Sequence, residues 1–128
     1  MHEKEVEEIV AEYLRKEKPQ RIIVLSNVGV DMWDPGIEIG NSEINIGAYE
    51  GIHIECKGSY SNIDRAIGQC LRYHFEKHPR NLYIAIPEDH KQLQLMINIF
   101  DLYNLPVGIM TVSSNRQVMI ARKTQNKL

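Results

Sequence analysis

The stretch from residue 42 to residue 58 alternates apolar and polar positions in two short runs. The apolar members are Ile44, Ile46 and Ala48, followed by Ile52, Ile54 and Cys56. Glu50 and Gly51 separate the runs, and a two-residue break with glycine second is typical of a β-hairpin. Because side chains two residues apart share one face of a strand, Glu43, Glu55 and Lys57 are predicted to lie opposite the apolar face. The pattern therefore predicts a hairpin that gathers two carboxylates and one ammonium near its open end.

Three other stretches repeat apolar residues with helical spacing, and they are residues 3–17, 62–77 and 88–103. The first carries one apolar stripe and crowds glutamates into its first turns, where they suit the helix dipole. The third is apolar nearly all round, which is typical of a central helix or of a subunit contact. This third helix favours a homodimer.

The remaining apolar runs predict strands over residues 21–30, 81–87, 107–112 and 117–121. Residues 31–40 contain the Asp34-Pro35-Gly36 sequence and are predicted to form a turn or loop. The predicted order is helix, strand, hairpin, helix, strand, helix and two short strands. This order indicates one α/β domain over residues 1–128.

Composition narrows the class of protein. Hydrophobic residues make up 43% of the 128 residues, which suffices for a single core. No apolar run approaches the ~18 residues of a membrane span, and the charged start does not resemble a signal peptide. We therefore expect a soluble, cytoplasmic protein that does not contact membranes. Cys56 and Cys70 fall on predicted core faces, which favours buried free thiols over the alternative of a disulfide.

The formal charge of −2 argues against a protein that coats nucleic acid, which is normally basic. It does not exclude an enzyme, because acids gathered at a metal site lower the net charge. Two facing carboxylates repel each other, and a divalent cation between them would cancel that repulsion. Mg²⁺ prefers oxygen ligands and usually takes one or two protein carboxylates. A lysine beside such an ion can hold a phosphate or polarise an attacking water.

The helix over residues 62–77 carries a polar stripe, because Arg65, Gln69 and Tyr73 are spaced four residues apart. If this helix packs beside the end of the Glu55 strand, Gln69 can orient a water or a phosphate. Tyr73 can then hold the helix or touch substrate, and Arg65 can contact phosphate. A plain exposed stripe is the alternative. Arg72 belongs to a basic cluster that either contacts phosphate or forms a solvated face.

Glu43 followed by Glu55-Cys56-Lys57 resembles the acid-x(n)-[D/E]-x-K signature of the PD-(D/E)XK nucleases, the restriction-endonuclease-like superfamily. Residues 66–73, with Gln69 and Tyr73, resemble the Gln-x-x-x-Tyr helix of its RecB-like and Holliday-junction-resolvase-like members. Ser42-Glu43 stands where the family usually has proline and aspartate. Asp34, within Asp34-Pro35, is the alternative first acid.

The resemblance implies an αβββαβ core with a mixed central sheet flanked by helices, here followed by an extra helix and two short strands. It also implies a nuclease that hydrolyses DNA phosphodiester bonds with Mg²⁺ or Mn²⁺. Glu43, Glu55 and the Cys56 backbone carbonyl would bind the metal, and Lys57 would assist the water and the transition state. An acid on the first helix often points into the active site of this family, and Glu7 is the candidate, with a solvated acid at the helix start as the alternative.

Three alternatives remain at this point. The chain could be a catalytically inactive DNA-binding or assembly module with the same fold. It could be a protein–protein interaction module built on the apolar third helix. The acids and lysine could also form only cross-strand salt bridges on a surface hairpin, each contributing under ~1 kcal/mol.

Overall fold

A computed structural model describes residues 1–17, 23–25, 37–39, 52–77 and 81–124 of the chain. Within these ranges the elements are α1 (Glu3–Glu17), β1 (Ile23–Leu25), β2 (Ile37–Ile39), β3 (Ile52–Cys56), α2 (Ile63–Lys77), β4 (Asn81–Pro87), α3 (Leu93–Leu102), β5 (Val107–Val112) and β6 (Val118–Arg122). The predicted helices and strands are thereby confirmed for α1, β4 and β5 at the predicted bounds, and for α2 and β6 within one residue.

The strands form one mixed sheet in the order β1-β2-β3-β4-β5-β6. Neighbouring strands from β1 to β5 are parallel, and β6 runs antiparallel to β5. The four strands β3 to β6 have five to seven residues, whereas β1 and β2 have three each. The α/β class and the mixed sheet flanked by helices agree with the prediction.

The predicted hairpin is wrong in its strand partners. Strand β3 lies between β2 and β4 and is parallel to both, with Ile52 opposite Ile37 on one side and Asn81 on the other. Both edges of β3 are therefore occupied at Ile52 to Ile54 by strands other than the predicted hairpin partner, and residues 44–48 lie outside the described residues. Period-two alternation marks a strand with two different faces, but it does not choose the partner strand.

The predicted loop over residues 31–40 is wrong at residues 37–39, which form β2. The triplet Ile37-Glu38-Ile39 is short and is bounded by Gly36 and Gly40. Those glycines made the stretch look like a turn, although β-branched isoleucines favour a strand. The rest of the predicted loop and residues 42–51 lie outside the described residues.

Helix α3 begins at Leu93 and not at the predicted Glu88. The intervening residues form turns, because the His90 amide donates to the Pro87 carbonyl at 3.1 Å and the Leu93 amide donates to the His90 carbonyl at 3.2 Å. The Gln92 amide donates to His90 Nδ1 at 3.1 Å. A side chain that accepts a backbone N–H in this way competes with the helix at its start.

Helices cover both faces of the sheet. One core cluster joins α1 to the sheet, and it contains Val6, Val10, Leu14, Ile52, Ile54, Cys56 and Tyr83 among others. The other joins α2 and α3 to the opposite face, through residues that include Ala66, Cys70, Phe100, Ile84 and Ile109. The two helices that connect the consecutive parallel strands β3, β4 and β5 pack on the same face, as the usual handedness of such connections predicts. Strands β3, β4 and β5 are consequently buried at every position.

Cys56 and Cys70 are both buried and both free. They belong to the core clusters on opposite faces of the sheet. Burial raises the pKa of each thiol well above its usual value. The prediction of free thiols is therefore confirmed. Among the described helices, none has the length and apolar character needed to cross a membrane.

Arg122 at the end of β6 makes hydrogen bonds to the end of α3, to the connection that follows it and to the start of β5. Its guanidinium donates to the backbone carbonyls of Phe100 at 3.2 Å, of Leu105 at 2.8 Å and of Val107, and to the Asp101 carboxylate at 2.7 Å. The same group lies 5.7 Å from the centroid of the Phe100 ring.

We expect Arg122→Met to lower the free energy of unfolding by about 2–3 kcal/mol, because part-buried carbonyls would lose their donor. Urea unfolding followed by circular dichroism measures this change. Arg116→Met is the matched control, since Arg116 only forms an exposed ion pair with Glu12 at 2.9 Å, and its effect should be clearly smaller. Equal losses in the two variants would contradict the role given to Arg122.

Candidate functional site

The side chains of β3 and of Lys57 directly after it alternate between the two helical layers. Ile52, Ile54 and Cys56 belong to the core cluster with α1. His53, Glu55 and Lys57 fall on the other face, where His53 and Lys57 contact α2. The prediction that Glu55 and Lys57 share a face is thus confirmed. That face is not open to solvent, since His53, Glu55 and Lys57 are only 0%, 6% and 7% exposed.

Lys57 and Gln69 meet across the boundary between the sheet and α2. Lys57 Nζ donates to Gln69 Oε1 at 2.8 Å. The link between β3 and α2 is short and is held by its own hydrogen bonds, including Gly58 N to Ser61 Oγ at 2.8 Å. Helix α2 therefore turns back along β3, and its polar stripe reaches the end of the strand as predicted. The alternative of a plain exposed stripe is wrong for Gln69 and for Tyr73, which is 5% exposed.

Glu55 is a buried carboxylate on this face, with 6% of its surface exposed. Its Oε1 accepts a hydrogen bond from His53 Nε2 at 3.0 Å. Its Oε2 is buried and has no hydrogen-bond partner among the described residues. Buried carboxylate oxygens are normally paired with a donor or a cation, because desolvating them without one is costly. Oε2 is therefore the oxygen of this carboxylate at which a further donor or a cation would be accommodated.

His53 bonds Glu55 and stacks on Tyr73. His53 was not identified as a site residue from the sequence. The two rings stack with centroids 3.9 Å apart and planes 21° from parallel. Because a carboxylate only accepts, His53 Nε2 carries the proton in its bond to Glu55. The sequence signal for His53 was its position two residues before Glu55, which places both side chains on one face. Tyr73 holds α2 against β3, one of the two roles predicted for it.

A pocket of about 280 Å³ opens beside Lys57 and Gln69. Arg65 lines it from α2, and Ser61 and Asn62 line it from the connection that precedes this helix. Glu3 lines it from α1 and was not identified from the sequence. Arg65 is exposed, so its guanidinium is available to an anionic ligand that enters this pocket.

The other predicted site residues lie on α1 and α2 or lie outside the described residues. Glu7 on α1 is 7% exposed. Burial of the Cys56 thiol is the largest cause that raises its pKa, and the negative charge of Glu7 is the second largest. Glu7 therefore lies close to Cys56, whose side chain belongs to the α1 face of β3. Arg72 is exposed on α2. Glu43 and Asp34, the two candidates for the first acid, lie outside the described residues.

The described ranges contain no group of three histidine, cysteine, aspartate or glutamate side chains that could hold a metal. Of the predicted metal ligands, these ranges include Glu55 and the backbone ligand Cys56 that follows it directly. The donor chemistry of Glu55 Oε2 fits a hard cation such as Mg²⁺, which binds oxygen and often uses a single protein carboxylate.

No family model, no curated protein and no solved structure matches this chain. The case for a function therefore comes from the side chains that β3 and α2 bring together.

Proposed function

We propose that this protein is a metal-dependent nuclease that hydrolyses DNA phosphodiester bonds, and that its αβββαβ segment is a restriction-endonuclease-like core. The observation that carries the proposal is the buried and unpartnered Oε2 of Glu55, two positions before a lysine that an amide side chain holds at 2.8 Å. A carboxylate oxygen that accommodates a cation and an ammonium two residues later would together suit metal-assisted phosphodiester hydrolysis.

Glu55, the Cys56 carbonyl and a first acid, Glu43 or Asp34, would hold Mg²⁺ or Mn²⁺. When bound, the metal lowers the pKa of a water and neutralises charge on the scissile phosphate. His53 determines which oxygen of Glu55 is offered, because its hydrogen bond occupies Oε1 at 3.0 Å and leaves Oε2 for the ion. A histidine that orients a ligating carboxylate acts on metal affinity without touching the metal.

Lys57 and Gln69 act on the phosphate and the water. The Lys57 ammonium is directed by Gln69 Oε1, so it is already oriented when a substrate enters. It would stabilise negative charge that develops on the phosphoryl oxygens. The amide NH₂ of Gln69 is the end of that side chain that can orient the water or contact a phosphate oxygen. Arg65 and Arg72 on α2 would contact the neighbouring phosphates of the DNA strand.

We expect Lys57→Met to reduce DNA cleavage by about 100-fold or more and to leave folding nearly unchanged. Methionine replaces a 7% exposed side chain with one of similar length, so the packing between β3 and α2 is retained. Cleavage of labelled duplex, single-stranded and branched DNA is measured with and without Mg²⁺ or Mn²⁺. Lys123→Met is the matched control, because Lys123 is exposed and follows β6 at the opposite edge of the sheet. Normal cleavage by Lys57→Met would remove this assignment.

An assembly role is the second candidate, and α3 is the feature that favours it. Leu95 is 49% exposed and Leu102 is 76% exposed, and their spacing of seven residues places them on one side of the helix. Tyr103 extends the same region with 69% of its surface exposed. A second copy of the chain packed on this surface would give the homodimer. In that case the chain would self-associate, and metal would not alter its stability.

A further inference from the structure

Tyr60 is the most exposed large apolar residue in the described part of the chain, with 96% of its surface accessible. It lies in a turn that several hydrogen bonds hold in place. The Ser61 amide donates to the Gly58 carbonyl at 3.2 Å, and the Ser59 amide donates to the Met1 carbonyl at 2.9 Å. The ring is therefore presented to solvent by a well-supported turn, three residues after Lys57.

The same turn is tied to the connection between β4 and α3. His90 is 8% exposed, and its Nε2 donates to the Ser61 carbonyl at 3.0 Å. Its Nδ1 accepts from the Gln92 amide at 3.1 Å, so both ring nitrogens are used in joining the two connections. The backbone of the turn that carries Tyr60 consequently keeps a defined position relative to residues 88–92.

Two pockets meet at this turn. One is the pocket of about 280 Å³ that Lys57 and Arg65 line. The other has a volume of about 520 Å³, and Tyr60, Asp89, Lys91 and Gln92 line it. Ser61 lines both pockets. Both lie at the carboxyl ends of the parallel strands, where open α/β sheets bind their ligands.

We propose that the second pocket is a subsite for one unpaired nucleobase next to the cleaved phosphate, with Tyr60 as its stacking surface. The proposal rests on the proposed function in one respect, since it assigns the phosphate to the Lys57 pocket. A strand whose phosphate lies beside Lys57 and Arg65 carries its adjacent base across Ser61 to Tyr60. Asp89, Lys91 and Gln92 offer an acceptor, a donor and an amide for the edge of that base.

The base must be unpaired, because a base inside a duplex has both faces stacked and its Watson–Crick edge occupied. Aromatic side chains bind unpaired bases through their faces with little preference for sequence. The chain would therefore prefer single-stranded DNA, ends or branched DNA over an intact duplex. The preference comes from Tyr60 and its pocket, and not from the groups that would act on the phosphodiester bond.

The test measures binding of a single-stranded oligonucleotide that contains 2-aminopurine, and of the fully paired duplex of the same sequence, in EDTA. We expect Tyr60→Ala to weaken binding of the single strand by about 5- to 100-fold and to change duplex binding by less than about two-fold. Tyr60→Phe should retain the affinity and the quenching of 2-aminopurine that stacking causes. Tyr103→Ala is the matched control, because Tyr103 is 69% exposed and lines neither pocket.

Unchanged binding by Tyr60→Ala, equal losses on single strand and duplex, or no binding by the unsubstituted chain would each overturn the subsite. Because binding is measured without divalent metal, its outcome is independent of cleavage. If binding depends on Tyr60 as expected and no DNA is cleaved, the subsite is supported and the proposed hydrolysis is overturned. If DNA is cleaved and binding does not depend on Tyr60, the hydrolysis is supported and the subsite is overturned.

Discussion

Replacing Glu55 with glutamine is expected to reduce metal-dependent DNA cleavage by roughly three orders of magnitude, because a catalytic metal contributes several kcal/mol to the transition state. Glutamine has the shape of glutamate and keeps one oxygen to accept the bond from His53. It removes the charge and replaces the unpartnered Oε2 with an NH₂ group, which cannot bind a cation. The substitution therefore separates the metal site from the packing of β3 against α2.

The measurements are a calorimetric titration with Mn²⁺ and unfolding in urea with and without the metal. At a metal concentration about 100-fold above Kd, the unsubstituted chain should gain about 2.7 kcal/mol of stability, and Glu55→Gln should gain almost none. Glu88→Gln is the matched control, because Glu88 follows β4 at the same edge of the sheet and is exposed.

The outcomes separate the functions proposed above. Equal metal binding by Glu55→Gln and the unsubstituted chain would remove Glu55 from the site. A metal that binds through Glu55 without any DNA cleavage would favour the inactive DNA-binding or assembly module. Self-association without a metal effect on stability would favour the protein–protein module.

Alanine at Gly108 is expected to destabilise the fold by about 3 kcal/mol, near the upper end of the usual cost of overpacking a core. Gly108 in β5 lies opposite Tyr83 in β4, whose side chain is 1% exposed. A Cβ at this position would stand 2.5 Å from Tyr83 Cδ1 and 2.8 Å from the Arg122 carbonyl oxygen. The ring is packed in the cluster with α1, and the carbonyl belongs to the backbone of β6, so neither can move away cheaply.

Gly68→Ala is the control for this prediction, because a Cβ at Gly68 in α2 meets nothing within 4 Å. That change should stabilise the protein by up to about 1 kcal/mol through helix propensity. Tyr83→Leu combined with Gly108→Ala should recover part of the loss, which a double-mutant cycle from urea unfolding would measure. Loss of the same size in the double variant would mean that the Tyr83 ring is not the obstacle.

The pattern of residues predicted part of the candidate site and missed another part. Glu55 and Lys57 share a face because alternation with period two holds for any strand, whichever partner the strand has. The meeting of Lys57 with Gln69 followed from the helical spacing of the stripe once α2 packed beside β3. His53 and Glu3 were missed, because their roles depend on contacts with α2 and on the approach of α1 to the end of β3.

Part of the fold was likewise predictable from the sequence, and part was not. The sequence alone determined that α1, α2, β4 and the β5–β6 pair exist, and nearly where they begin and end, since their apolar spacing and turn residues are local signals. The tertiary structure decided that β3 pairs in parallel with β2 and β4 and not in a hairpin. It also decided that α3 begins at Leu93, following the turn in which His90 accepts the Gln92 amide. The same structure decided that one oxygen of Glu55 has no hydrogen-bond partner among the described residues. Strand pairing, helix starts and buried charges depend on groups that are distant along the chain, and a local pattern carries no information about which of these groups will meet.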